Sequence, residues 1–141
     1  AQRAGLEEMA RSAGVSDRIR FVGERSDTGD ILNALDVFVV ASDKEGLSNA
    51  MLEAMAVGLP VVSTPVSGSE DALGVDESGL SAGVVTTFSP ESIANAILDL
   101  RADLDRRGLL GAAANSRAYQ RFSMDGMLDR WEGFLSGRAR A

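Results

Sequence analysis

The sequence has 141 residues, enough for one domain with one core and too few for two. Its apolar fraction of 45% and charged fraction of 25% are those of an ordinary globular domain, and a net charge of −7 argues against nucleic acid as a partner, since phosphate binding needs a basic footprint. With no cysteine and no histidine, the chain excludes a disulfide framework, a thiolate or imidazole metal site, and any Ser-His-Asp or Cys-His catalytic group of its own.

The chain begins in a helical pattern, with Leu6, Met9, Ala10 and Ala13 at helical spacing and Gly14 as the stop. An opening of this kind, without a signal pattern, predicts that the natural start lies upstream. Ile19 to Val22 is a short β-rich run ending at Gly23 and is expected to be a buried strand. Ser26 or Asp27 is placed to cap a helix through Ile31, Leu32 and Leu35. Val37 to Val40 is continuously apolar, as in a strand covered on both faces.

A helix is predicted from near Ser48 to Val57, with Gly58 for its C-terminal end and Pro60 unable to continue it. Val61 and Val62 open the next strand, which runs into a loop at Pro65, Ser67 and Gly68, and a weaker strand lies at Val84 and Val85. Ser89-Pro90-Glu91 joins a cap, a first-turn proline and a first-turn acid ahead of Ile93, Ile97 and Leu100. Ser123 is placed to cap a last helix with Met127, Trp131, Phe134 and Leu135 on its apolar side. Strands alternating with helices at this spacing predict an α/β fold, a doubly wound parallel sheet in a single domain over 1–141. No apolar run approaches the roughly 18–20 residues that span a bilayer, so no transmembrane segment is expected and a cytoplasmic location is the default.

In such sheets ligands bind where strands run into helices. Three loops qualify: Gly23-Glu24-Arg25, Ser42 to Asn49, and Thr64 to Gly68. The middle one leads into a helix N-terminus, whose free N–H groups and partial positive charge suit a phosphate. Gly46 admits a close approach, and Ser48 and Asn49 offer polar side chains; on composition alone, Ser48 and Asn49 read first as helix caps. Glu45 precedes the helix and Glu53 lies inside it, seven residues intervening, with Asn49 and Glu53 on one face. A ligand with hydroxyls on both sides of its phosphates, such as a nucleotide-sugar, fits that layout. Glu45 as a solvated loop charge and Glu53 as an acid stabilising a helix start are the plainer alternatives.

The stretch EGLSNAMLEAMAVGLPVV, residues 45–62, closely resembles the signature of the GT-B glycosyltransferases that retain anomeric configuration, the large family four and its relatives. DRIRFVG (17–23), ALDVFVVAS (34–42), DESGL (76–80), SPESIANAI (89–97) and RFSMDGMLDRW (121–131) agree in order, so the resemblance covers nearly the whole chain. It implies the Rossmann-like C-terminal domain of such an enzyme, cut short at its N-terminal end. It also implies roles: Glu53 for the ribose hydroxyls, Glu45 as the catalytic-site acid holding the donor sugar, and the backbone of Gly46, Leu47 and Ser48, with Asn49 beside them, for the distal phosphate. Arg25 is placed beside the base, contacting it mainly through backbone. The donor is a substrate; no cofactor and no metal are implied.

Three departures accompany the match. The Arg/Lys pair that neutralises the diphosphate in the family belongs to a segment before residue 1, and the acceptor-binding domain is absent. Ser67-Gly68-Ser69 stands where two glycines and a branched residue are usual, which weakens the contacts expected of that loop. The helix over 123–137 is expected to contact the missing acceptor domain. Asp103 and Asp105 form a D-x-D, but two apart in a helical stretch they point to opposite sides, and they read as surface charges. The late arginines Arg117, Arg121, Arg130, Arg138 and Arg140 read as a solvated helix face and tail. A nucleotide-sugar epimerase of the same fold and a non-catalytic nucleotide-sugar-binding module remain as alternatives.

Overall fold

Three valine-rich stretches, β1 (Phe38–Val40), β2 (Val61–Ser63) and β3 (Gly83–Val85), pair in parallel in the order β1-β2-β3. The computed structural model describes residues 2–76 and 79–136, and the chain divides into two units, 1–30 and 31–141.

In the first unit, α1 (Gln2–Ser12) stops two residues before Gly14, whose φ of 67° is the left-handed conformation glycine adopts without cost. A single 3-10 turn follows at Ser16–Arg18. The strand expected at Ile19 to Val22 does not form. Ile19 is extended, but a strand exists only as half of a hydrogen-bonded ladder, and this segment joins none of the described strands. Arg3 instead fastens α1 to it, donating to the Phe21 carbonyl at 2.9 Å. Leu6, Met9, Ile19 and Val22 are all exposed, as thirty residues cannot enclose a core. The helix α2 (Thr28–Asn33) crosses the division between the units and ends before Leu35, which is exposed rather than part of the helical face expected.

In the second unit the sheet alternates as period two requires. Val61 faces one side, with Val40, Met51, Met55, Leu73, Ala114 and Ala118; Val62 faces the other, with Ala96, Leu100 and Leu110. Helices α3 (Asn49–Ala56) and α4 (Ser69–Leu73) lie on the Val61 side, α5 (Pro90–Ala102) on the Val62 side, and α6 (Leu104–Arg121) supplies residues to both clusters. Val61 and Val62 have no solvent exposure, which contributes about 1.5–3 kcal/mol for each side chain. The double cover expected for Val37 to Val40 holds only in part, because β1 is an edge strand and Val39 remains 37% exposed.

Caps fall where polar side chains precede helices. Ser89 accepts from the Ser92 amide ahead of Pro90, and Ser123 from the Gly126 amide at the start of α7 (Met124–Leu135). Asp103 is a cap as well, not an interior residue of a helical stretch: it separates α5 from α6 and accepts from the Arg106 amide at 2.8 Å. Arg117 departs furthest from expectation. It is buried rather than solvated, because four acceptors surround its guanidinium. Arg138 and Arg140 lie outside the described residues, as do Glu77 and Ser78 of the 76–80 match. Among the described residues no helix is long and apolar enough to cross a membrane.

Candidate functional site

A parallel sheet brings the carboxyl ends of its strands to one edge, so the loops after β1, β2 and β3 share that edge. They are tied together there. The Thr64 amide donates to the Val40 carbonyl at 3.0 Å and its hydroxyl to the Ser42 carbonyl at 2.7 Å; the Thr86 amide donates to the Ser63 carbonyl at 2.8 Å. The loop ahead of α3 therefore leaves β1 along a fixed path.

That path ends at the α3 N-terminus. Ser48 is buried and extended, and its hydroxyl accepts from the Met51 amide at 3.4 Å while its carbonyl accepts from Leu52 at 3.1 Å. The cap reading of Ser48 thus holds, and it fixes the axis along which the helix dipole points. Asn49 and Ala50 open the helix, where no intrahelical acceptor exists for their amides. Among the described residues none accepts from the amides of Gly46, Leu47 or Ser48. A Cβ on Gly46 would meet nothing within 4 Å, so the loop's outer side is open to a ligand.

Glu45, Asn49 and Glu53 are all exposed, and Asn49 and Glu53 share one face of α3. The structure gathers Glu45, Gly46, Leu47, Ser48, Asn49 and Glu53 in one continuous loop and helix start. Arg25 belongs to the other unit. There its guanidinium grips Asp27, Nε to Oδ1 at 2.7 Å, and that pairing holds the Asp27 carboxyl below the usual carboxylate range. Among the described residues no group of three or more acidic side chains is placed to hold a metal ion.

The loop after β2 meets the site from the other side. Gly68 has a φ of 80° and would bring a Cβ to 3.3 Å from both Cα and Cβ of Leu47. Ser69 turns inward, its hydroxyl donating to the Val66 carbonyl at 2.7 Å, and Ser67 stays exposed. Thr64 and Gly68 therefore shape the site although neither is among the residues read as binding groups. The sequence signal for Gly68 was its place between two serines after a strand, where a single glycine marks a backbone that must turn.

The family model described as "Glycosyl transferases group 1" matches residues 1–103. The chain belongs to the group 1 glycosyltransferases. Among relatives of this family, the lipopolysaccharide core biosynthesis glycosyltransferase LpsE of Rhizobium meliloti is 35% identical over 137 residues, covering 97% of this chain and 39% of that protein. The mannosyltransferase LpsB of the same organism is 38% identical over 115 residues, covering 80% of this chain and 31% of that protein. The chain thus spans less than two fifths of the length of these two relatives.

Solved structures agree, one of them the C-terminal domain of a glycosyl transferase group 1 family protein. HepE from Anabaena, crystallised with UDP, superposes with a TM-score of 0.85 at 25% identity, over 95% of this chain and 36% of that one. The C-terminal domain of LpcC from Francisella tularensis gives 0.73 at 27% identity, over 86% of this chain and 63% of that one. The fold is that of a GT-B C-terminal domain.

Proposed function

We propose that this chain is the donor-binding part of a longer glycosyltransferase, which moves a sugar from a nucleoside-diphosphate sugar to an acceptor with retained configuration. The observation that carries this reading is the run of amides at 46–48 with no acceptor among the described residues, which leads into the α3 N-terminus and lies between Glu45 and Glu53 in the chain. In this reading Glu53 accepts from the ribose hydroxyls and Glu45 holds the donor sugar. The amides of Gly46, Leu47 and Ser48 take the distal phosphate, with Asn49 beside them. Fixed amide dipoles stabilise the charge that develops on the departing diphosphate, without reorganisation at the moment of reaction. The relative HepE was also solved with UDP and glucose, which supports this class of donor.

In this reading the acceptor contacts belong to the rest of the enzyme. The exposed apolar side of α7, with Trp131 at 56% and Phe134 at 66%, is assigned to contact with that part. The test is a titration panel of nucleoside diphosphates and their sugars against the intact protein, followed by transfer assays with the bound donors. Saturable binding of one diphosphate and its sugar is expected, with turnover once an acceptor is supplied. No binding across the panel contradicts the reading; binding without turnover on any acceptor leaves a binding module.

A further inference from the structure

Arg117 sits in α6 with its side chain only 5% exposed. One guanidinium nitrogen donates to the carbonyls of Ala72 at 3.2 Å and Gly74 at 2.5 Å. The other donates to the Leu80 carbonyl at 2.8 Å and pairs with the Asp76 carboxylate at 2.9 Å. A planar fork with fixed donor directions is matched to such a set, and no other side chain satisfies four acceptors in this geometry. Ala72 lies within α4, and Gly74 is the residue that ends it. Arg117 therefore seizes the carboxyl end of this five-residue helix.

The amino end of the same helix is Gly68, where an added Cβ would stand 3.3 Å from Cα and Cβ of Leu47. A helix this short has little stability of its own, so its place is set by what holds its ends. Arg117 holds one end, and the backbone of Leu47, centre of the open amide run, lies beside the other.

We propose that Arg117 is a positioning residue for the donor phosphate: by fixing α4 it keeps Gly68 beside Leu47 and so holds the loop that carries the amides of 46–48 in place. This inference rests on the donor-binding reading of those amides. Arg117 touches no ligand and acts only through α4.

The test compares three variants of the full-length protein, Arg117→Met, Arg117→Lys and Leu100→Ala. Leu100 is fully buried on the opposite side of the sheet and serves as the control for lost stability alone. Thermal unfolding ranks their stabilities, and calorimetric titration with a nucleoside diphosphate is run well below each Tm. Coupling through packed elements of this kind is worth roughly 3- to 30-fold in affinity, and that loss is expected for Arg117→Met. Arg117→Lys, which keeps a cation but not the fork, is expected to fall between Arg117→Met and wild type. Leu100→Ala is expected to lose stability and keep wild-type affinity. Wild-type affinity in folded Arg117→Met, or in folded Arg117→Lys should the former not fold, overturns the proposal. So does an equal loss of affinity in Leu100→Ala. Failure of the wild-type protein to bind any nucleoside diphosphate is a different result and removes the donor-binding reading itself.

Discussion

A Cβ placed on Gly111 would stand 2.2 Å from the carbonyl oxygen of Gly58, closer than any real contact. The α3 helix ends there in a Schellman arrangement, with Gly58 donating to Met55 and Leu59 to Ala54, and Gly58 at φ 82°. The nearby Ala56 carbonyl is taken by the Asn115 side chain at 2.5 Å. The α6 helix thus lies backbone to backbone on the end of the helix whose other end forms the candidate site.

Gly111→Ala and Gly108→Ala are expected to move stability in opposite directions, though both replace a glycine inside α6. Gly108 has nothing within 4 Å of its would-be Cβ, so alanine should stabilise by about 0.5–1 kcal/mol. Gly111→Ala should destabilise by about 1–3 kcal/mol, because overpacking against a fixed carbonyl outweighs the propensity gain. Urea denaturation of both variants checks the pair; a stabilised Gly111→Ala contradicts the close approach.

The Arg25–Asp27 pair predicts a pH dependence. Asp27 has its carboxyl lowered in the folded chain, chiefly by the Arg25 hydrogen bonds. A depressed folded value means stability that is present above the unfolded carboxylate range and is lost as pH falls through the folded value. Asp27→Asn should therefore be less stable than wild type at neutral pH, and the difference should close on acidification. Denaturation midpoints at a series of pH values measure it. A gap that persists unchanged in acid contradicts the pairing.

Trp131 is the only tryptophan, and it stands edge-on to Phe134 at 6.1 Å on the exposed side of α7. In the 141-residue chain its fluorescence should be red-shifted and readily quenched by acrylamide. Emission typical of a buried indole, resistant to quencher, would show the helix covered by something else.

Much of this architecture was legible in the sequence, for reasons that can be named. The valine runs at 61–62 and 84–85 announced strands, and Ser89-Pro90-Glu91 announced α5, because local chemistry decides both. Segment 19–22 misled because strand formation depends on a neighbour, which no local pattern reveals. Arg117 misled because its acceptors lie 37 to 45 residues away in sequence, between α4 and Leu80, and nothing local to α6 points to them. α4, five residues long, is too short to show a helical period. In the candidate site, the glutamates and the helix start were legible from motif and capping. The approach of Gly68 to Leu47, where an added Cβ would stand 3.3 Å away, was not, since it joins two loops that only the sheet brings together.

Glu53 and Glu45 are tested most directly by calorimetric titration of the intact protein with a nucleoside diphosphate and with its sugar conjugate. Hydrogen bonds to a charged group contribute about 1.5–3 kcal/mol, so Glu53→Ala should weaken both ligands by roughly 10- to 100-fold. Glu45→Ala should leave the bare diphosphate unchanged and weaken the conjugate or its turnover. Both residues are exposed, so neither variant should change stability by more than about 1 kcal/mol. Wild-type affinity of Glu53→Ala for the bare diphosphate would contradict the site described here.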